Sequence, residues 1–271
     1  MDYARELLIE RASAAETVLE LFHVASPRLR RLVDFDAAVW LATDPATGLP
    51  TAPTYVENVG ELAERPACER LWELEFLVED VNLYRDLANA DVPAGALQLS
   101  TDGHPMRSPR YRDLLRPSGF GDELRAVLRS DGRPWGLVSL LRTAGRPPFD
   151  ASDRAVAGGL SEPLAGAIRD LARPLGRDER GALPGPGLLL FDGRGQLLSH
   201  NDDAEAWLRE LTGERCAAPV DDARLPMVVL TTLMRARAIA EERERGHARV
   251  RLRGHSGHWI VCHASCLRGV E

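Results

Sequence analysis

Residues 122–141 read DELRAVLRSDGRPWGLVSLL and contain the strongest β-hairpin pattern in the chain. The stretches 122–129 and 134–141 are rich in apolar residues. The tetrapeptide 130–133 between them carries an Asp-Gly pair, which favours a tight turn. Because strands joined by a tight turn run antiparallel, this pattern predicts an antiparallel sheet in the first part of the chain.

Further strand patterns precede this hairpin. Residues 37–42, AAVWLA, form an apolar run typical of a buried strand. The turn sequence at 44–48 then leads into a second strand pattern at 51–55, and residues 94–99 have the composition of another strand. The first part of the chain therefore contains enough strands for a single antiparallel sheet.

Helices are predicted around these strands. Ser13 and Glu16 have the spacing of a capping box ahead of an apolar stretch, so a helix is expected to begin there. A longer helical stretch is broken near Asp80, which has the chemistry of an N-cap. The other predicted helices cover 27–33, 68–88 with that break, and 153–173 behind a cap on Asp150 or Ser152. Helices on one side of an antiparallel sheet define the α+β class.

Residues 174–187, PLGRDERGALPGPG, are too rich in proline and glycine for a helix or a central strand. We interpret them as an interdomain linker between a first domain, 1–173, and a second, 188–271. The second domain has the element order β-β-α-α-β-β. Its predicted elements are strands at 188–191 and 196–200, helices at 204–211 and 227–240, and strands at 247–253 and 258–267.

Composition limits the function classes. The chain has 271 residues, 44% of them hydrophobic and 28% charged, which is typical of a globular protein. All 34 basic residues are arginine, and the net charge is −7. That charge argues against a duplex-binding surface, which needs clustered positive charge. No apolar run is long enough for a membrane span, and the N-terminus does not resemble a signal peptide, so a cytoplasmic protein without membrane contact is expected.

Several phrases resemble a known family. The first domain resembles a GAF domain through LFHVA at 21–25, DVNLYRDLA at 80–88 and RPWGLVSLLR at 133–142. The second resembles a PAS-like sensor through LLLFD at 188–192 and WIVCHAS at 259–265, although its last strand is missing and it looks truncated. The whole chain is similar to the sensory region of an actinobacterial LuxR-type helix-turn-helix transcription regulator.

This resemblance implies a signal-sensing and dimerisation region without catalytic activity. It implies a homodimer, a small-molecule effector or a partner protein, and DNA contact only through a helix-turn-helix domain that this chain lacks. An apolar stripe in the last helix of the first domain has roughly coiled-coil spacing, as pairing helices of such regulators do: Val156, Leu160, Leu164, Ile168 and Leu171. A stand-alone sensor or scaffold acting by protein contacts is the alternative, and a thiol-dependent enzyme is a third.

Motifs for chemistry are weak. Zinc is suggested by five neighbouring residues: His255, His258, Cys262, His263 and Cys266. On one strand, however, the two cysteines would lie about 13 Å apart, which is too far for both to bind one metal ion. We therefore predict no metal site and no cofactor. Neither Cys68 nor Cys216 has a neighbouring histidine, so no catalytic residue is assigned. The acids from Glu57 to Asp80, spread irregularly, are expected to be mostly solvated.

Aromatic residues give the better signal for a ligand site. A sensor pocket between sheet and helices is mostly apolar with few polar groups. The residues expected to line it are Trp40, Tyr55, Trp72, Phe76 and Trp135, with Ser139 as a hydrogen-bonding group. For each aromatic taken singly, packing in a filled core is the commoner role. Both interpretations stay open at the level of sequence.

Overall fold

The computed structural model describes residues 2–172, 184–212 and 225–267. The chain divides into two compact units, Met1–Arg173 and Pro174–Glu271. Most of the predicted linker, 174–183, and Cys216 lie outside the described residues. The predicted α+β class with antiparallel sheets is confirmed. In the described part of the chain, no helix is long and apolar enough to cross a membrane.

The first unit is built on one five-stranded antiparallel sheet with the order β2-β1-β5-β4-β3. The strands are β1 (Ala37–Thr43), β2 (Pro50–Glu57), β3 (Ala94–Ala96), β4 (Phe120–Ser130) and β5 (Arg133–Thr143). The hairpin β4–β5 lies at the predicted position, with Asp131 and Gly132 at positive φ in its turn. The predicted strand at 94–99 is shorter than expected, because the chain turns into a helix at Leu97.

Three helices cover the first face of this sheet, and side chains from α1 (Asp2–Ser13), α2 (Val18–Leu29) and α7 (Ser161–Leu171) share one apolar core with it. Alternate residues of the strands enter this core, among them Trp40, Leu124 and Val138. The helix α6 (Ala151–Gly159) precedes α7 and is capped by Asp150, which forms a capping box with Asp153.

Three helix predictions need correction, and α1 is a helix that the sequence patterns do not predict. α2 does not begin at Ser13. Its N-cap is Thr17, whose hydroxyl accepts the backbone N–H of Glu20 at 3.1 Å, so the capping signal lies four residues further on. The second predicted helix is not separate, because Pro27 lies inside α2. The predicted helix 153–173 is divided at Leu160 into α6 and α7.

The second face of the sheet is covered by α3 (Arg65–Leu77), by the short helices α4 (Tyr84–Leu87) and α5 (Leu97–Ser100), and by the turns at 105–115. A smaller apolar cluster lies here, with Leu141 of β5, Leu97 and Phe120 among its members. Apart from α3, this covering layer consists of short pieces, so it depends on side-chain bonds for its order.

The second unit has the predicted element order within its described residues: β6 (Leu189–Phe191), β7 (Leu197–His200), α8 (Asp202–Thr212), α9 (Met227–Ala240), β8 (Arg249–Arg253) and β9 (Trp259–His263). In the described ranges its strands form two separate two-stranded sheets, β6–β7 and β8–β9. The predicted alternation in β8 is confirmed, since Val250 and Leu252 are buried and the three arginines that alternate with them are exposed.

Candidate functional site

The structure does not bring the six predicted ligand-binding residues together. Trp40 of β1 is fully buried on the first face, where its ring lies 5.7 Å from that of Phe22. Tyr55 of β2 packs against the same core with its ring 4.5 Å from His23, and Trp135 packs against it too. Trp40 is therefore a core residue on the side of α1, α2 and α7, and Tyr55 and Trp135 are partly buried against that core.

The other three predicted residues belong to the opposite side. Trp72 and Phe76 are buried on α3, one helical turn apart, and their rings stack at 6.1 Å. Ser139 of β5 is paired with Arg125 of β4 in the sheet, on the second face. The predicted pocket is thus divided by the sheet, and only Trp72, Phe76 and Ser139 are in position to contribute to a site on the second face.

A cluster of five buried charges occupies this face. The members come from α3, from the covering loops and from β4, and each exposes 4% or less of its side chain. They are Glu75, Asp80, Arg110, Glu123 and Arg125, and we refer to them as the charge cluster. Burying unpaired charges is strongly unfavourable, so each member needs partners of opposite charge or hydrogen bonds.

Glu123 is the centre of the charge cluster. Its Oε2 accepts a hydrogen bond from Nε of Arg110 at 2.7 Å, and its Oε1 accepts one from Nε of Arg125 at 3.0 Å. The hydroxyl of Ser139 donates to the same Oε1 at 2.7 Å. One predicted site residue, Ser139, is therefore part of this network.

Arg125 connects the sheet to α3. Its Nη1 donates to Oε2 of Glu75 at 2.6 Å, and its guanidinium lies 4.3 Å from the ring centre of Tyr84. The other carboxylate oxygen of Glu75 accepts the backbone N–H of Tyr84 at 2.7 Å, which fixes the start of α4. The arginine thus joins three segments that are distant in sequence.

Arg110 and Asp80 form the outer part of the charge cluster. Oδ2 of Asp80 accepts hydrogen bonds from the hydroxyl of Ser108 at 2.8 Å and from the backbone N–H of Arg110 at 3.0 Å. The Arg110 guanidinium donates to Oδ2 of Asp80 at 3.3 Å and to the backbone carbonyl of Val81 at 3.2 Å. These bonds attach the turn at 108–110 to the loop at 80–81.

The electrostatics define what this site can do. Burial by itself would raise the pKa of Glu123, but Arg125 and Arg110 outweigh it and hold that pKa at about 2. Burial would lower the pKa of Arg125, and the neighbouring carboxylate of Glu123 raises it instead. A general base works best with a pKa near the operating pH, so Glu123 is unsuited to proton transfer at neutral pH. Its chemistry is that of a fixed anion.

The expectation that the acids between Glu57 and Asp80 are mostly solvated misses two members of the charge cluster, Glu75 and Asp80. A signal was present in β4, where Glu123 and Arg125 alternate with apolar residues and so share one face of a central strand. Charges at that spacing in a strand with two covered faces indicate a buried pair. The partners Glu75 and Arg110 carry no comparable pattern, because they meet β4 only through the fold.

The two cysteines with a perturbed pKa are both shifted away from the reactive thiolate form. Burial raises the pKa of Cys68, whose Sγ points to the carbonyl oxygen of Leu62 at 3.6 Å. Burial also raises the pKa of Cys262. Within the ranges that the structure covers, no three His, Cys, Asp or Glu side chains are grouped so that they could hold a metal ion.

Neither the comparison with protein-family models nor that with curated proteins gives a match. Among solved structures, Escherichia coli SdiA is similar at 19% identity, with a TM-score of 0.45 over 62% of this chain and 68% of SdiA. The chromophore-binding domain of the R. palustris bacteriophytochrome RpBphP3 is similar at 13% identity and a TM-score of 0.37, over 62% and 60% of the two chains. The photosensory core module of Stigmatella aurantiaca phytochrome is similar at 17% identity and a TM-score of 0.40, over 62% of this chain and 36% of the module. Similarity of this degree carries no inference about function.

Proposed function

We propose that this chain is the signal-sensing region of a LuxR-type transcription regulator and that its first unit responds to a small molecule or a partner on the second face of its sheet. The sequence phrases at 21–25, 80–88 and 133–142 suggest the family. The single observation that supports this location is the charge cluster on the second face, in which Ser139 donates to Glu123 and Glu75 comes from the same helix as Trp72 and Phe76.

The physical basis of the response is the way the charge cluster holds the covering layer. Glu75 on α3 and Asp80 in the following loop are bonded to β4 and to Arg110 by side chains rather than by a continuous strand or helix. A ligand that binds better to one arrangement of these links than to another shifts the population toward that arrangement. The displaced layer would then carry the signal.

A thermal-shift screen of metabolites tests this location. A ligand at a hundredfold excess over its Kd stabilises the unit by about 2.7 kcal/mol, which corresponds to a rise in Tm of roughly 5–10 °C for a unit of this size. We expect Ser139→Ala to reduce the rise caused by a hit, because Ser139 belongs to the second face. Tyr55→Phe, on the first face, is the matched control and should keep it.

A hit whose effect is lost in Tyr55→Phe and kept in Ser139→Ala would place the ligand on the wrong side of the sheet. Failure of every compound would favour filled cores on both faces and leave the small-molecule form of the proposal without support.

We also propose that the region performs no bond chemistry. The low pKa of Glu123 and the raised pKa of the Cys68 thiol support this for those two groups, because a general base works best with a pKa near the operating pH and the thiolate is the nucleophilic form of cysteine. The rival is a thiol-dependent reductase using Cys68. Loss of a redox activity in Cys68→Ser, with the fold unchanged by circular dichroism, would establish the rival.

The oligomeric state belongs to the same proposal. We propose a homodimer, although the stripe of the last helix does not provide the contact, since Leu160, Leu164 and Ile168 are buried in the unit's own core. Light scattering at micromolar concentration should give twice the chain mass of 29.8 kDa, and a monomer would contradict the dimer. A scaffold acting by protein contacts alone is the alternative function, and the exposed hairpin β8–β9 favours it as a second candidate.

A further inference from the structure

The turns that cover the second face of the first unit carry three exposed arginines around an exposed methionine. The arginines are Arg107, Arg112 and Arg116, and Met106 exposes 45% of its surface. We refer to these four residues as the arginine patch. Within the ranges that the structure describes, none of the three guanidinium groups forms an ion pair with a carboxylate. Their positive charge is therefore available to a partner.

Contacts around Met106 hold the arginine patch together. Nη1 of Arg112 donates to the carbonyl oxygens of Met106 at 2.8 Å and of Arg107 at 3.4 Å, and Nη1 of Arg116 lies 3.6 Å from the Met106 sulfur. Arg112 lies within a single turn of π-helix, Tyr111–Leu115, which the N–H of Arg116 closes. Such turns are rare and are frequently found at functional sites. A guanidinium has five N–H donors, so these bonds leave donors on both arginines for an anion.

The charge around the arginine patch is locally positive on an acidic unit. Asp113, an acid in the same turns, is bonded to Arg70 of α3 at 2.5 Å. Asp102, which lies just before these turns, forms no ion pair in the described part of the chain. Residues 1–173 contain 27 acids and 20 arginines. The arginine patch is thus a small cationic area with anionic surroundings.

Buried neighbours fix the arginine patch to the body of the unit. Ser108 and Arg110 lie between its members along the chain, and both are bonded to the buried Asp80, at 2.8 and 3.0 Å. Leu114 and Leu115 of the π-turn are buried as well. A surface that is already ordered loses less conformational entropy when a partner binds.

The composition of the arginine patch indicates its partner. Carboxylates match guanidinium groups in charge and geometry, and the unbranched side chain of Met106 adapts to apolar groups of different shape. A peptide with an apolar residue between acidic residues offers both contacts at once. A nucleic-acid strand offers phosphates but no aliphatic side chain, and its charge would extend over the anionic surroundings.

We propose that the arginine patch binds an acidic segment of a partner protein, in which an apolar side chain between carboxylates packs against Met106. This binding does not depend on ligand sensing at the charge cluster.

Fluorescence anisotropy with the full chain and a fluorescein-labelled peptide tests the charged contacts. The peptide has two glutamates on each side of a leucine, and we expect saturable binding that weakens with added salt. R107E/R116E should weaken it about tenfold, since an exposed ion pair contributes up to about fivefold in affinity. Both positions are exposed, and Arg112 keeps its bonds to the backbone. Circular dichroism checks that the variant folds.

A second pair of measurements tests the apolar contact. A peptide with serine in place of the leucine should bind the unchanged protein several times more weakly. In Met106→Gln this difference between the two peptides should disappear, because the apolar surface that the leucine covers is lost. Equal binding of both peptides to the unchanged protein would refute packing on Met106.

The control variant is R31E/R133E, which makes the same change of charge at two exposed arginines elsewhere in the first unit and should leave binding unchanged. An equal loss of binding in both double variants would overturn the proposal, because net charge alone would then attract the peptide. Absence of saturable binding, or tighter binding of a single-stranded oligonucleotide than of the peptide, would overturn it too. A dimer that becomes a monomer in R107E/R116E would assign the arginine patch to a contact between copies instead.

Discussion

Replacing Arg125 with methionine tests the role of the charge cluster directly. The substitution keeps a long side chain in β4 but removes the partner of Glu75 and one of the two guanidinium groups on Glu123. Removing one member of a buried ion pair costs about 3–5 kcal/mol, because the remaining charge stays buried. We therefore expect the first unit to lose roughly this much of its free energy of unfolding at pH 7.

The effect should depend on pH with a definite sign. The pKa of Glu123 is about 2 in the folded protein against an ordinary value of 4.5, a difference that stabilises the fold by about 3 kcal/mol at neutral pH. Because the folded pKa is the lower one, this stabilisation is complete above about pH 5 and is lost as the pH falls toward 2. In Arg125→Met the pKa of Glu123 should rise, so the variant loses less of its free energy of unfolding on acidification. The difference in the free energy of unfolding between the two proteins should therefore shrink to about half at pH 3.

Urea unfolding followed by tryptophan fluorescence at pH 7 and pH 3 measures both quantities. Three of the five tryptophans lie in the first unit, and the transition that moves with the substitution is assigned to that unit, since a chain of two units need not unfold in one step. Arg133→Met, at an exposed position, is the control and should change stability by no more than about 0.5 kcal/mol. A loss below about 1 kcal/mol, or a gap that stays the same at pH 3, would refute the assignment of the charge cluster as a stabilising network.

Three further predictions follow from local structure. Thr17→Ala should cost about 1 kcal/mol in urea unfolding because it removes the N-cap of α2, whereas Ser13→Ala should cost almost nothing; the reverse order would contradict the cap. Gly95→Ala should destabilise the first unit by about 1–3 kcal/mol, because the added methyl group would overlap the side chain of Asn82. Gly166→Ala in α7, where a methyl group would meet nothing within 4 Å, should stabilise the unit by up to about 1 kcal/mol. Equal changes in the free energy of unfolding would contradict the close packing at Gly95. The Cys68 thiol, whose pKa is raised by burial, should react with iodoacetamide at pH 7.5 more slowly than free cysteine. Mass spectrometry of the peptide that contains Cys68 measures the labelling rate, and a rate equal to that of free cysteine would contradict the prediction.

The strands could be predicted from short sequence patterns. The hairpin at 122–141 and the strand at 37–42 were predicted to within a few residues, because turn residues and apolar runs act over short distances. α1 was missed since only Leu8 and Ala12 of this helix are fully buried, which leaves a weak apolar periodicity. Its position depends on packing against α2 and α7, which sequence neighbours do not encode.

The candidate site was predictable only in part. Ser139 was identified, and Trp72 and Phe76 lie on the same side as the charge cluster, but Trp40 lies across the sheet from them. Strand composition alone does not tell which face each aromatic takes unless the pleat is counted from a residue of known burial. Arg110 had no local signal, since its partners Asp80 and Glu123 lie 30 and 13 residues away along the chain.

The way the second face is covered has a consequence for variation among related chains. Between Asp80 and Arg110 the backbone is anchored at its two ends by the bond between those residues. From Tyr84 to Gln98 it is also held on the sheet, by β3 and by side-chain bonds to β4. Loop closure becomes costlier only slowly with length. Insertions or deletions should therefore collect on the stretch from 102 to 107, while the aspartate and the arginine stay fixed. One sheet with an unchanged charge cluster could then carry connections of different length.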